Sequence, residues 1–111
     1  MKEKKVLQII EMLEIIREIH PEMTVGMMLA FFEVARGNGV TGRDLEERYD
    51  MKHAAAARIL RYFDRWQAKD KEGVDLIEAR IDPVDYKAKL RYLNEKGEAV
   101  MDRIDKALAA R

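Results

Sequence analysis

The sequence contains no cysteine and no serine, and only two histidines and two prolines. Without cysteine there is no disulfide, no thiolate metal site and no thiol nucleophile, a composition that fits a reducing cytoplasm. Without serine, a second common nucleophile is missing. His20 and His53 lie far apart with no ligand spacing around either, and Gly37-Asn38-Gly39 lacks the pattern of a phosphate-binding loop. Carboxylate pairs such as Glu46-Glu47 are neighbours in a helical stretch and so diverge. No catalytic constellation, metal site or cofactor is expected. Net charge is absent too, with 21 Lys plus Arg against 21 Asp plus Glu, so the whole molecule is not drawn to a polyanion unless its charges are segregated. Finally, no apolar run is long enough to span a bilayer. The start Met1-Lys2-Glu3-Lys4-Lys5 leads into an apolar stretch broken by Glu11 and Glu14, with no small-residue cleavage site, so neither a membrane partner nor an export signal is expected.

What is present is material for a core. At 111 residues, 48% hydrophobic and 38% charged, the chain has the size and composition of one folded, helix-rich domain over residues 1–111.

Residues Lys2 to His20 read as one helix closed by Pro21, which cannot continue the hydrogen-bond ladder. Its apolar residues, among them Val6, Leu7, Ile9, Ile10, Met12, Leu13 and Ile16, cover well over half the circumference at about 100° per residue, more than the stripe one core requires. The excess predicts a second partner. The same helix of another subunit is the simplest, so residues 1–20 are expected to dimerise through Val6, Ile9, Ile10, Leu13 and Ile16, joined by Ile104 and Leu108 from the last helix. The alternative is a central helix buried within a monomer.

Thr24 can cap a second helix, Val25 to Arg36, ended by Gly37-Asn38-Gly39, whose residues tolerate left-handed backbone. Val40 suits a one- or two-residue edge strand. Thr41 caps a short third helix, Gly42 to Tyr49, and Asp44 stands where it can complete a capping box. After Asp50-Met51-Lys52 a fourth helix runs from His53 to about Gln67, with Ala56, Ile59, Leu60 and Phe63 inward. Two helices across so short a turn form a helix-turn-helix. Asp75 to Ile81 and Lys89 to Leu93, joined by the turn chemistry of Asp82-Pro83-Val84-Asp85, predict a hairpin, and Asn94 caps a last helix, Glu95 to about Ala109. The order is that of a winged helix-turn-helix, mainly α with a two-stranded wing, its core at residues 24–93 and an extra helix at each end, the last spanning 94–111.

The neutral total conceals a local excess. From Lys52 to Lys69 there are five basic residues, Lys52, Arg58, Arg61, Arg65 and Lys69, against Asp64, while Glu3, Glu11, Glu14, Glu18 and Glu22 gather in and just after the first helix. Such segregation is what a DNA-binding face requires, because cations release condensed counterions only where they approach phosphates. Arg58 and Arg61, three apart, share the outward side of the fourth helix, with Lys52, His53, Ala54 and Ala57 near the end that usually enters the major groove. Arg58 is the leading candidate to read a guanine edge, and Arg61 to hold a phosphate. The run Ala54 to Ala57 suits contact with thymine methyl groups or is simply good helix-forming sequence. In the hairpin Lys87, Lys89 and Arg91 alternate and project from one strand face, with Lys87 foremost for phosphate or minor-groove contact and Arg80 a weaker candidate; the alternative is a solvated edge.

The stretch Asp85 to Gly97 resembles the wing signature of MarR-type regulators, which runs Asp, any residue, Arg, a variable segment, then Leu-Thr-any-any-Gly. Val40 to Arg48 and Met51 to Phe63 are similar to the family's helix-turn-helix, and the resemblance covers roughly residues 24 to 100. It implies a dimeric transcriptional regulator that binds DNA, and the two-fold symmetry of the expected dimer predicts a pseudo-palindromic duplex site with half-sites about 10 bp apart. Lys87 replaces the family's wing Arg, keeping charge without the planar fork. Asn94 replaces the usual Thr, and Lys52 and Ala54 stand where small hydroxyl residues are common, which leaves Asp50 as the expected cap of the fourth helix. The family often places a phenolic-effector pocket between its dimerisation and DNA-binding parts; the last helix is shorter here than in most members. Two other roles stay open from the residues alone: a winged helix that contacts protein, and one that binds DNA without sequence choice.

Overall fold

The computed structural model describes residues 1–85 and 88–109. Its elements follow in the order α1 (Glu3–Ile19), α2 (Val25–Ala35), α3 (Gly42–Tyr49), α4 (His53–Phe63), β1 (Trp66–Ala68), β2 (Lys71–Glu72), β3 (Ile77–Ile81), β4 (Lys89–Leu93) and α5 (Glu95–Leu108). The helix starts are set by side chains that satisfy orphan N–H groups. Thr24 and Thr41 each accept from the backbone of the third helical residue, Asp44 returns a bond of 2.9 Å to the Thr41 N–H, and Asn94 accepts from Gly97.

β3 and β4 form an antiparallel ribbon with Ile77 opposite Leu93 and Arg80 opposite Leu90. Val40 bridges the other edge of β4 at Arg91, the short edge strand expected from the sequence. Gly37 and Gly39 both adopt positive φ in the turn before it. The core gathers Phe31, Val34, Leu45, Phe63, Ile77 and Ile104 from five elements. α1 lies antiparallel on α5: Arg103 donates to Glu18 at 2.7 Å near one end, and the Gln8 amide donates to the Ala109 carbonyl at 2.7 Å near the other. No helix among the described residues is long and apolar enough to cross a membrane.

Four expectations are corrected. α4 stops at Phe63 and not near Gln67, because the carbonyls of its last residues are claimed by the returning segment just before β3: Val74 N–H donates to Tyr62 O and Leu76 N–H to Phe63 O. Trp66–Ala68 and Lys71–Glu72, where the sequence predicts only the end of that helix and no strand, form the β1–β2 hairpin. Asp50 does not cap α4; it ends α3 in the left-handed region, φ 53°, and Lys52 occupies the N-cap of α4 without a side-chain bond. Ile16 and Ile104 are buried inside the chain, where α1 meets α5, and so are not available to a second subunit.

Candidate nucleic-acid interface

Helix α4 is held by one side and open on the other. Ala56, Ile59, Leu60, Tyr62 and Phe63 are buried, and at about 100° per residue Ala54, Ala57, Arg58 and Arg61 fall on the opposite arc. Arg58 and Arg61 are exposed, and neither guanidinium has a hydrogen bond or ion pair among the described residues. Lys52 and Ala54 are exposed at the start of the helix, Ala57 is half-buried, and His53 is committed in part to Glu46, Nδ1 to Oε2 at 3.2 Å. Arg65 is exposed but stands beyond the helix end, so it does not extend the Arg58–Arg61 row as a helical residue would.

The wing divides its cations. Lys89 is exposed and pairs with Ile81, whereas Arg80 pairs with Leu90, one register step along. Side chains alternate across a strand, so Arg80 and Lys89 leave from opposite faces of the ribbon. Arg80 is held in place: its guanidinium lies 4.3 Å from the centroid of Tyr92 and 3.7 Å from Glu78. Tyr92 in turn fits over Gly39, where an added Cβ would stand 2.8 Å from its hydroxyl. Arg91 is half-buried, donates to the Lys89 carbonyl at 3.3 Å and has a buried, unpartnered Nε, which withdraws it from the row predicted with Lys87 and Lys89. Lys87 lies outside the described residues.

Two buried polar arrangements support the helix-turn-helix, and the sequence reading found neither. Glu33, only 5% exposed, joins α2 to α3 by accepting from Tyr49 Oη at 2.6 Å, Arg48 Nη1 at 3.0 Å and Arg36 Nη1 at 3.0 Å. The Tyr49 hydrogen bond, aided by both guanidinium charges, holds the Glu33 carboxyl below its usual 4.5 against the opposing effect of burial. The i,i+3 spacing of Glu33 and Arg36 was the one visible signal; Arg48 and Tyr49 arrive only through folding. At the far end of α4, Tyr62 packs edge-on against His20, ring centroids 5.1 Å apart, and burial pushes its phenol up to about 12, with the Glu22 charge adding to the shift.

No protein-family model matches the sequence, and no curated protein matches it either. Solved structures do. The transcriptional regulator Tm0710 from Thermotoga maritima superposes with a TM-score of 0.72 at 12% identity, over 93% of this chain and 66% of that one. The MarR family transcription regulator SP03579 gives 0.62 at 25% identity, over 91% and 59%. A mutant MarR from E. coli, complexed with operator DNA, gives 0.63 at 14% identity, over 96% and 66%.

The chain has the MarR-like winged-helix fold.

The present chain spans about two thirds or less of the length of these regulators. In the MarR-like frame α3 and α4 are the helix-turn-helix and β3–β4 the wing, as the sequence resemblance implied. Outside these elements, α1 carries a row that α5 leaves uncovered: Val6, Leu7, Ile9, Ile10 and Leu13 are between 38% and 51% exposed, and Leu108 of α5 is 46% exposed. Shallow depressions line the same helix, one formed by Ile10, Leu13, Glu14 and Arg17. Among the described residues no cluster of three or more His, Cys, Asp or Glu is arranged to hold a metal ion.

Proposed function

We propose that this chain is a cytoplasmic regulator of transcription that binds duplex DNA as a homodimer, a binding protein and not an enzyme. Residues 1–111 act as one winged-helix unit in this reading. α4 enters the major groove, with Arg58 on a guanine edge and Arg61 on a phosphate, Lys52, His53, Ala54 and Ala57 around the helix start, and Arg65 behind. The wing contributes Lys87, Lys89 and Arg80 to backbone or minor groove. Val6, Ile9, Ile10, Leu13 and Leu108 form the subunit contact, and two-fold symmetry then calls for a pseudo-palindromic site.

The observation that carries the reading is the pair Arg58 and Arg61, exposed and without ion-pair partners among the described residues, on the outward side of a helix whose inward side is fixed in the core. A cation left unpaired at a surface retains its full charge for a phosphate. The fold supports the same reading, since similar structures include a MarR with operator DNA and a MepR mutant bound to an oligodeoxyribonucleotide.

Selection from random duplexes at a stated salt concentration tests partner, specificity and symmetry together. The expected result is an enriched inverted repeat. Arg58→Ala should weaken binding by about 1–3 kcal/mol and relax choice at one position, whereas Arg61→Ala should weaken all sequences alike and flatten the salt dependence. If Arg58→Glu with Arg61→Glu leaves retention and its salt slope unchanged, the DNA reading fails and a protein-contact role takes its place.

A further inference from the structure

Among the described residues a single side-chain hydrogen bond links α3 to α4, between His53 Nδ1 and Glu46 Oε2 at 3.2 Å. Glu46 is half-buried on α3, directly after Leu45, which lies wholly inside the core and so holds this part of the helix in place. His53 is the first residue of α4, and its side chain is 88% exposed. A contact so open to water adds little to stability. Its consequence lies in where the imidazole keeps its proton.

An ionised carboxylate has lone pairs and no hydrogen to give, so the Nδ1 that faces it must be the N–H nitrogen. A neutral imidazole carries one such hydrogen. Nε2 is then a bare lone pair, and it has no hydrogen-bond partner among the described residues. A free ring would offer either nitrogen as donor; Glu46 removes that choice. The place of the ring gives the lone pair something to read. His53, Ala57 and Arg61 follow one another four residues apart on α4, and at about 100° per residue they form one row leading from the helix start into the outward arc. The start of a recognition helix is the part whose side chains reach base edges in the major groove. There an acceptor is complemented by the exocyclic amino groups, N6 of adenine and N4 of cytosine, whereas guanine N7 and O6 and thymine O4 are themselves acceptors.

We propose that Glu46 sets a base preference of this helix by fixing His53 as the Nδ1–H tautomer, which presents Nε2 as an acceptor to an adenine or cytosine amino group. Glu46 is a positioning residue that acts through His53. The proposal rests on the DNA reading above and gives His53, one of its contacts, a class of base to recognise.

The tautomer is measured on the full chain without DNA. Long-range 1H–15N correlation follows the ring nitrogens at pH about 8.5, about two units above the ordinary imidazole value. The two histidines of the chain are told apart by the signals that vanish in His53→Gln. The expected pattern for the parent is a protonated Nδ1 with a bare Nε2, lost in Glu46→Leu. A parent His53 with its hydrogen on Nε2 overturns the proposal, and this result needs no variant of Glu46 to fold. Selection from random duplexes at the same pH should give one position in each half-site where adenine or cytosine exceeds guanine and thymine about two- to tenfold, the worth of one neutral hydrogen bond. Glu46→Leu should level that position. Glu46→Gln loses the charge equally but keeps an acceptor oxygen, so it should retain the preference, and any general gain in affinity from the lost charge is common to both variants. A motif unchanged in Glu46→Leu, or levelled in both variants, overturns the proposal and leaves the DNA reading standing. No enriched motif in the parent overturns that reading and the proposal with it.

Discussion

Glu33 shows how one buried charge can set the geometry of a reading head. Its carboxylate receives three donors from both helices it joins, so α3, and with it the turn into α4, is oriented by electrostatics as well as by Leu45 and Phe31. A buried acid with its donors removed costs more than the bonds were worth, because the desolvation remains. Two of the three donors, Arg36 and Arg48, are half-exposed, which screens part of the effect. Glu33→Gln is therefore expected to lower unfolding stability by roughly 1–3 kcal/mol in urea titration. The folded carboxyl titrates below its ordinary 4.5, so its contribution is present above that value and is lost as pH falls through the folded pKa. The parent should lose stability in this acid range more steeply than Glu33→Gln, and parallel curves would refute the assignment. The sequence displayed Glu33 and Arg36 one turn apart, but nothing in it paired them with Tyr49, sixteen residues on.

At the scale of elements, caps and turns were legible because they are local chemistry. Thr41 with Asp44, Asn94 with Gly97, and Gly37-Asn38-Gly39 each act within a few residues, and each stands where its spacing placed it. The end of α4 was not legible. Arg65, Trp66 and Gln67 have acceptable helical propensity, yet Val74 and Leu76, just before β3, take the carbonyls of Tyr62 and Phe63, and this tertiary competition overrides it. Gly97 is a second case in which packing outweighs propensity. Alanine is favoured over glycine in a helix by about 1 kcal/mol, but a Cβ here would stand 2.1 Å from the Leu76 carbonyl, which is fixed by the Asn94 N–H at 3.1 Å. Gly97→Ala should lose about 1–3 kcal/mol by the overpacking it forces. A midpoint of thermal unfolding at or above the parent's would show that α5 can move away from Leu76 without cost.

For the whole molecule, the question is what covers α1. Ile9 and Leu13 lie on the face that α5 leaves open, whereas Ile16 is 3% exposed against α5. These positions should respond differently to charge. Ile9→Glu is expected to keep native circular dichroism and to sediment near 13.0 kDa where the parent sediments near twice that value. Ile16→Glu should unfold, since it buries an unpaired carboxylate. A parent that sediments as a monomer at micromolar concentration removes the homodimer. By itself the sequence determined the helix order, the capped starts of α2, α3 and α5, the wing and the outward pair Arg58 and Arg61, because periodicity and capping are written in neighbouring residues. Only the tertiary structure decided that Ile16 and Ile104 belong to the core, that Arg80 and Lys89 part to opposite faces, and that Trp66 stands on a hairpin of its own. Each of these depends on which distant segment arrives to take a surface or a carbonyl, and no local spacing carries that information.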